Sequence, residues 1–395
     1  MGVVGNAPWV LVAGGFHRAG GMDRLNAALA RELIARGVPV HLVAHRVDPN
    51  LAANSLVTAH PAGKSGGSFF LGQRLLDRRG RAVASEVLAA NPATRVVVNG
   101  VNCDWSDINW VHFVNHAWPT RADSGPLWLK AKSWIEAKQT LRRERMILPQ
   151  ARLLIANSNG TRREVIERLG LPPERVVTVY PGNDERYAPP SEAGRAAARA
   201  SLGVSNDRPL VAFVGALGHD PRKGFATLWA AWQRLCARTT WSVVLAVAGG
   251  GRAVLRWQQL IGAAGLADRV RMLGFTDDIV TLLAAADLLV SPVLYEPYGL
   301  NVQEAICCAV PAMVSASAGV AERYPAELKD MLLENPEDHE ALAARLFDWS
   351  SRIAAIREGF APFGRSLRAH TEQAMARAIL DAAQFTDGVA RKKEA

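Results

Sequence analysis

Short apolar runs alternate with longer segments of helical periodicity along most of the chain. The first unit of this pattern has an apolar run at Trp9–Gly15, a glycine-rich turn at His17–Met22, a helical segment that stops at Gly37 and a second run at Val38–His45. Asp23 stands where it can cap that helix. Alternation of this kind is typical of parallel α/β proteins, whose helices cover both faces of a buried sheet. The pattern therefore predicts an α/β fold.

The alternation starts again in the middle of the chain. The stretch Asn183–Arg195 contains adjacent prolines and several charges, which suits a linker, and the run Pro209–Gly215 follows as a new first strand. A chain of 395 residues is also too long for one small core. We therefore expect two Rossmann-like, doubly wound domains at residues 1–186 and 187–365, with a C-terminal helix in about 366–395 that packs back on the first domain.

The loops that follow the strands are the expected place for function. In doubly wound sheets, ligands bind at the carboxyl ends of the strands, where the connections diverge. Two such edges that face each other would form a deep cleft. We therefore look for functional side chains directly after the apolar runs.

Charge and cysteine usage limit the partners and the compartment. The net charge of +9 calls for an anionic partner or surface, but the sequence lacks the motifs of nucleic-acid-binding folds, and we expect no nucleic-acid partner. No apolar run approaches the roughly 20 residues that span a bilayer, and the N-terminus has the pattern of a first strand and not of a signal peptide. The four cysteines show no paired spacing, and the adjacent Cys307 and Cys308 fall in an apolar helix pattern. These features favour a cytoplasmic protein with reduced thiols.

Part of the positive charge is concentrated in the segment Leu127–Leu148, where lysines and arginines are interleaved with Trp128 and Trp134. A helix with basic and aromatic residues can lie on an anionic membrane surface, which would make the protein peripheral at the inner face of the membrane. The alternative is an amphipathic helix that packs its tryptophans inward and leaves its charges in solvent. Glu136 and Glu144 dilute the charge and favour that alternative.

Two glutamates flank the start of a predicted helix in the second domain. Glu296 follows an apolar run, Gly299 to Asn301 open the next helix, and Glu304 lies on its first turns. The free N–H groups and the positive dipole end near Gly299, Leu300 and Asn301 favour a diphosphate. Glu296 can accept hydrogen bonds from hydroxyls of a sugar, and Glu304 from the hydroxyls of ribose. This arrangement predicts a nucleotide-sugar site.

The segment VLYEPYGLNVQEA (Val293–Ala305) resembles the E-x-x-G-x-x-x-x-E signature of the family 4 glycosyltransferases, and the resemblance covers almost the whole chain. It implies the GT-B fold, transfer with retention of anomeric configuration and no metal or other cofactor. It assigns Glu296 to the donor sugar and Glu304 to the ribose. Tyr298, between the two glutamates, is expected at the same donor site.

Two cations follow the first strand of the second domain. Arg222 and Lys223 stand where a helix begins, and both can offset the charge that grows on a leaving diphosphate. Lys223 matches the lysine of the family pattern. Ala216 occupies the position where many relatives carry an arginine, and Arg222 is the candidate that replaces it.

The remaining candidates lie on other loops. Gly20 and Gly21 allow close backbone approach to a phosphate or an acceptor, and the resemblance places this loop at the diphosphate. His116 ends the run Trp110–His116, where the family has a similar histidine that contacts the donor sugar or the bond that breaks, so the resemblance makes His116 a candidate catalytic residue. His112 within that run is expected to be structural. The backbone of Phe275 is expected to contact the nucleobase, as in relatives.

On the acceptor side the sequence offers Asn99 and Trp118, which could equally be structural. Together these residues predict a retaining transferase that moves a hexose-type sugar from a UDP- or GDP-sugar to a glycan, lipid-linked or small-molecule acceptor. Two alternatives stay open: a nucleotide-sugar epimerase of the same fold and a non-catalytic relative that binds nucleotide sugars.

Overall fold

The structure, a computed structural model, describes residues 7–63, 69–119 and 127–394. The chain divides into two compact units. The described residues of the first unit fall within Met1–Thr120, Lys132–Gly182 and Glu372–Ala395, and those of the second within Arg121–Ala131 and Asn183–Thr371.

The divisions lie a few residues from the sequence-based ones, at 182/183 instead of 186/187 and at 371/372 instead of about 366. Asn183 N–H donates to the carbonyl of His370 (2.8 Å), and Asn183 forms a parallel bridge with Thr371. The segment at which the chain enters the second unit and the segment at which it leaves that unit therefore lie side by side, and this pairing marks the boundary of the second unit. The C-terminal helix expected in about 366–395 begins only at Glu372, because the preceding helix ends at Ala369.

The first unit is built on a parallel sheet with strand order β5-β3-β1-β6-β7-β8-β9. Its elements up to Gly182, with short 3₁₀ turns omitted, are β1 (Trp9–Val12), β2 (Gly15–Phe16), α1 (Gly21–Ala35), β3 (Val40–Ala44), β4 (Arg46–Val47), α2 (Pro49–Ala52), β5 (Val57–Pro61), α3 (Phe69–Ala90), β6 (Arg95–Asn99), β7 (Ile108–Val111), α4 (Leu127–Ile147), β8 (Leu153–Ala156), α5 (Asn159–Leu169) and β9 (Val176–Thr178). The residues of α4 up to Ala131 are counted with the second unit.

The second unit is built on a parallel sheet with strand order β12-β11-β10-β13-β14-β15. Its elements are α6 (Glu192–Ser201), β10 (Leu210–Val214), α7 (Phe225–Cys236), β11 (Val244–Ala248), α8 (Val254–Ala263), β12 (Val270–Gly274), α9 (Ile279–Ala285), β13 (Leu288–Ser291), α10 (Leu300–Cys307), β14 (Ala312–Ser315), β15 (Leu332–Leu333), α11 (His339–Ser351) and α12 (Ile353–Ala369). The last helix, α13 (Glu372–Glu394), belongs to the first unit, where Glu372 pairs with Arg24 at 2.8 Å.

The prediction of two parallel α/β domains is confirmed. Strands β1, β11 and β13 are buried along their whole length, as expected for a parallel sheet that helices cover on both faces. Cys307 and Cys308 are buried on and just after α10, and burial raises the pKa of each thiol to about 12. Within the described ranges, no helix combines the length and apolar character that crossing a bilayer requires.

Two local predictions are wrong. Asp23 does not cap α1, because Gly20 adopts a φ of 84° and turns the chain into the helix earlier; Asp23 lies in the first turn instead. The run Trp110–His116 is not a strand to its end, since Val111 is the last residue of β7 that pairs with β8. His116 therefore lies in a turn beyond the strand.

The tryptophans of α4 do not pack inward. Trp128 is 64% exposed and Trp134 is 50% exposed, and Leu127 and Ile135 are exposed beside them. The amphipathic alternative, with buried tryptophans, is therefore wrong for this segment. Lys138 Nζ lies 3.7 Å from the centroid of the Trp134 ring, in a cation–π arrangement.

Candidate active site

The loops after β10 and β13 meet at the carboxyl edge of the second sheet. Leu294 N–H donates to the carbonyl of Arg222 (2.8 Å), and the side-chain amide of Asn301 donates to the carbonyl of Val214 (2.9 Å). The first bond connects the turn Pro221–Lys223, after β10, with the loop before α10, and the second connects the end of β10 with the first turn of α10. The two groups of residues predicted in the second domain, the cations after β10 and the segment from Glu296 to Glu304, thus lie at one edge of the sheet.

Lys223 and Glu296 form an ion pair at this edge, between Nζ and Oε2. Both side chains are mostly buried but reach solvent. A partly buried pair is screened less by water than a surface pair, so each group holds the other in place. The carboxylate predicted to bind the donor sugar and the cation predicted to face the diphosphate are therefore neighbours.

The start of α10 offers backbone donors. Gly299, at the N-cap, has a φ of 109°, which a residue with a side chain rarely adopts, and no side chain among the described residues caps the helix. In the first turn, Val302 N–H donates to the carbonyl of Gly299 (3.1 Å), and the N–H groups of Leu300 and Asn301 before it point out of the helix end, which is the arrangement that binds anions. Glu304, on the same helix, is 7% exposed. The predicted diphosphate and ribose residues thus share one helix end.

A short 3₁₀ segment, Gly319–Arg323, fastens the loop that carries Glu296. Gly319 N–H donates to the carbonyl of Glu296 (3.1 Å), and Val320 N–H donates to the carbonyl of Tyr298 (2.7 Å). The loop is therefore held by two backbone hydrogen bonds from a neighbouring segment.

The side chain of Tyr298 points into the protein. It is 2% exposed, its hydroxyl bonds to Oε1 of Gln303, and Arg323 donates to the same hydroxyl at 3.1 Å. Burial raises the pKa of Tyr298 to about 12. Only the backbone of Tyr298 can contact a donor, and its ring supports the loop from behind. Sequence reasoning missed Gln303 and Arg323; the one available signal was Gln303, a polar residue within an apolar helix pattern.

Arg222 is engaged in its own turn. Asp220 accepts from Arg222 N–H at 3.0 Å and pairs with its guanidinium at 3.3 Å. Part of the charge of Arg222 is therefore balanced locally, whereas Lys223 is paired with Glu296.

Phe275, after β12, is 76% exposed.

In the first unit, the loop after β1 is linked to the end of β6. Asn99 donates its side-chain amide to Oδ1 of Asn26 (3.0 Å), and Asn26 donates to the carbonyl of Gly15 (3.5 Å). Gly20 and Gly21 stand at the start of α1, where no described side chain caps the helix. Asn99 therefore supports the glycine-rich loop, and the buried Asn26 is a residue that the sequence did not single out.

His116 lies in the turn after β7, and its Nδ1 is 2.6 Å from Oε2 of Glu144. Trp118 is half-buried, and its N–H donates to the carbonyl of Val114 (3.2 Å). The same turn thus holds a predicted catalytic residue and a predicted acceptor-side residue.

Two family models match successive parts of the chain. The model of glycosyltransferase family 4 matches residues 19–187, and the model of group 1 glycosyl transferases matches residues 194–352. A curated relative, the D-inositol 3-phosphate glycosyltransferase of Geodermatophilus obscurus, is 29% identical over 278 residues, which take in 62% of this chain and 60% of the relative. The match thus spans less than two thirds of that relative's length.

Solved structures resemble the chain over nearly its full length. Sucrose-phosphate synthase from Thermosynechococcus elongatus has a TM-score of 0.76 at 21% identity, with 97% of this chain and 99% of that chain covered. Anabaena HepE in complex with UDP-glucose has a TM-score of 0.65 at 19% identity, with 95% and 99% covered. At this identity the likeness shows the fold. Since the two family models cover both parts of the chain and the fold agrees, the chain belongs to glycosyltransferase family 4 and has the GT-B fold.

Proposed function

We propose that the chain is a retaining glycosyltransferase that moves a hexose-type sugar from a UDP- or GDP-sugar to a hydroxyl group of an acceptor. The observation that carries this proposal is the junction of the Lys223–Glu296 pair with the uncapped start of α10. The carboxylate can accept hydrogen bonds from sugar hydroxyls, the ammonium is a cation, and the backbone N–H groups can donate to an anion. A nucleotide diphosphate sugar needs all three kinds of group.

In the proposed reaction, the N–H groups of the first turn of α10 and the ammonium of Lys223 stabilise the leaving diphosphate. Interactions that strengthen as charge develops are the ones that accelerate the reaction. Glu296 orients hydroxyls of the transferred sugar and Glu304 those of the ribose. The acceptor hydroxyl attacks from the side of the departing phosphate, which takes its proton, so that configuration is retained. We propose that these groups act without a metal ion.

We propose that the first unit, which carries His116, binds the acceptor. The acceptor is a glycan, a lipid-linked glycan or a small polyol, and D-inositol 3-phosphate is the first to test, because a curated relative is named for it. A phosphorylated acceptor also suits the net charge of +9.

We further propose that α4 lies on an anionic membrane surface. Its exposed residues combine large apolar side chains with the exposed Lys130, Lys132 and Lys138. Aromatic and apolar groups beside lysines are what a helix needs to rest at the boundary between headgroups and acyl chains. Membrane contact would bring a transferase of this kind to a lipid-linked acceptor.

The test is a transfer assay on the purified chain. UDP- and GDP-activated hexoses are incubated with and without D-inositol 3-phosphate or a lipid-linked glycan, with nucleotide release and product followed by mass spectrometry and NMR. We expect acceptor-dependent release of nucleoside diphosphate, a product with the anomeric configuration of the donor, and no loss of rate with EDTA. Interconversion of the donor without acceptor would indicate an epimerase, and tight donor binding without release under any acceptor would indicate a binding protein; either result would overturn the proposal.

A further inference from the structure

We propose that Glu144 is a positioning residue that fixes the orientation and the proton of the His116 ring. The proposal rests on the proposed function only for the step in which His116 acts. Its central claim, the location of the ring proton, is independent of turnover.

Glu144 is a buried acid with an unusually complete set of donors. It is 1% exposed and lies one turn before the end of α4. Its Oε1 accepts from the N–H (2.8 Å) and the side-chain amide (2.9 Å) of Asn115, and its Oε2 accepts from the N–H (2.9 Å) and Nδ1 (2.6 Å) of His116. A carboxylate has about four acceptor sites, so these four bonds fill it.

The chemistry of the carboxylate decides which ring nitrogen carries the proton. An ionised carboxylate only accepts hydrogen bonds, so the nitrogen that faces it must be an N–H. In a neutral ring the other nitrogen, Nε2, is then an acceptor. Nε2 of His116 is therefore set to accept a hydrogen bond from a hydroxyl group, and an amide in place of the carboxylate would permit the opposite tautomer.

The hydrogen bonds from the backbone to Glu144 also fix the position of the His116 ring. Two of the four bonds come from the N–H groups of Asn115 and His116, so the turn beyond β7 is tied to α4 at the residue that carries the ring. The His116 side chain is 12% exposed and has little freedom to rotate while Nδ1 is held. The arrangement is similar to the way that carboxylates orient metal-bound imidazoles in other proteins.

The first experiment measures the tautomer directly. The full chain is labelled with ¹⁵N-histidine, long-range ¹H–¹⁵N correlations are recorded at about pH 8, where an imidazole is ordinarily neutral, and His116 is identified by its loss in His116→Gln. We expect the Nδ1–H tautomer in the wild type and a shift towards Nε2–H in Glu144→Gln. An Nε2–H tautomer in the wild type would overturn the proposal, even if Glu144→Gln does not fold.

The second experiment separates positioning from a purely structural role. Glu144→Gln should lower kcat by about 10- to 100-fold, the range seen when outer partners of metal-bound imidazoles are removed. In the His116→Gln background the same change should lower kcat less than about twofold, because residues that act through one another are not additive. If Glu144→Gln lowers kcat in the His116→Gln background by the same factor as in the wild type, the proposal is overturned. Glu167→Gln, an exposed change on α5, is the matched control.

The two proposals fail separately. If no donor and acceptor pair gives turnover, the proposed function fails, while the tautomer measurement still decides on Glu144. If turnover is found and the tautomer is the wrong one, only the role of Glu144 is lost.

Discussion

Lys223 and Glu296, 73 residues apart in the chain, form an ion pair at the carboxyl edge of the second sheet. The ammonium is a three-proton donor and the carboxylate is an acceptor, so the pair offers both kinds of hydrogen bond at one point. A nucleotide sugar carries hydroxyls that donate and phosphates that accept. The pair can therefore exchange its internal contact for contacts with both parts of such a ligand.

Replacing Glu296 by glutamine should remove activity and keep the fold. Glutamine has nearly the same volume, and its carbonyl can still accept from Lys223, so the unfolding midpoint should stay close to that of the wild type. The charge that we propose to orient the sugar is lost, and we expect kcat to fall about 100-fold or more, the range for loss of one electrostatic contact in a transition state.

Nucleotide release and thermal unfolding measure the two effects of this change. Glu334→Gln, at an exposed position of the same unit, should alter neither. A folded Glu296→Gln protein that transfers sugar within about twofold of the wild-type rate would refute the assignment of Glu296.

Asp287 is predicted to be a main determinant of stability in the second unit. It precedes β13, pairs with Arg195 (2.7 Å), Arg199 (3.2 Å) and Arg357 (2.8 Å), and accepts from Leu210 N–H (2.9 Å). Removing the acid leaves three arginines close together and partly buried. Loss of one partner from a buried ionic cluster costs about 3–5 kcal/mol.

Asp287→Ala should therefore lower the free energy of unfolding by about that amount in urea denaturation, followed by circular dichroism. Asp268→Asn changes an exposed aspartate of the same unit and should cost less than about 0.5 kcal/mol. Equal denaturation curves for Asp287→Ala and the wild type would show that the arginines find other acceptors.

His112 should make stability depend on pH. It is buried against Trp110, with ring centroids 4.5 Å apart, and burial lowers its pKa to about 3. The unfolded chain protonates this histidine near pH 6.5, whereas the folded chain does not until about pH 3. Stability is therefore fully present above about pH 6.5 and is lost as the pH falls towards 3, with a loss of about 2 kcal/mol by pH 5.

The measurement is the free energy of unfolding in urea between about pH 7 and pH 5. His112→Leu removes the titrating group and should flatten this dependence, while the exposed change His339→Gln should leave it as in the wild type. The burial-lowered pKa values of His41 and His60 act in the same direction, so a residual slope is expected in His112→Leu. An unchanged slope in His112→Leu would contradict the assignment.

The sequence predicted the parallel sheets because a strand buried on both faces leaves a continuous apolar run, and a linker with prolines leaves a break in that pattern. It also brought Glu296, Gly299 and Glu304 to one helix start, because their spacing is local. These features depend on neighbours within a few residues, which a single sequence displays.

The sequence could not give the partners that the fold supplies from a distance. In the sequence, Glu144 is only a charge that dilutes a basic helix, because nothing near it in the chain shows that Asn115 and His116 direct four donors at it. Arg323 was missed for the same reason, since its contact with Tyr298 joins residues 25 positions apart. β7 ends at Val111 because this is its last residue that pairs with β8, and the apolar run Trp110–His116 does not show where that pairing ends.

The exposed face of α4 should bind anionic vesicles. The chain is expected to sediment with vesicles of phosphatidylcholine and phosphatidylglycerol and to stay in solution with phosphatidylcholine alone. Because each lysine near an anionic surface contributes about 1 kcal/mol, the double change Lys130→Gln and Lys132→Gln should weaken binding about 30-fold.

The apolar contribution is tested by Trp128→Ser together with Trp134→Ser, which leaves the charge unchanged. Binding should fall for these variants at every salt concentration, whereas the lysine variants should differ from the wild type mainly at low salt, because salt screens the attraction of the lysines to the lipid headgroups. Leu255→Ser removes an equally exposed apolar side chain from α8 and should have no effect. If the Leu255 and tryptophan variants lose binding to the same degree, or if none loses it, α4 is not the membrane-binding surface.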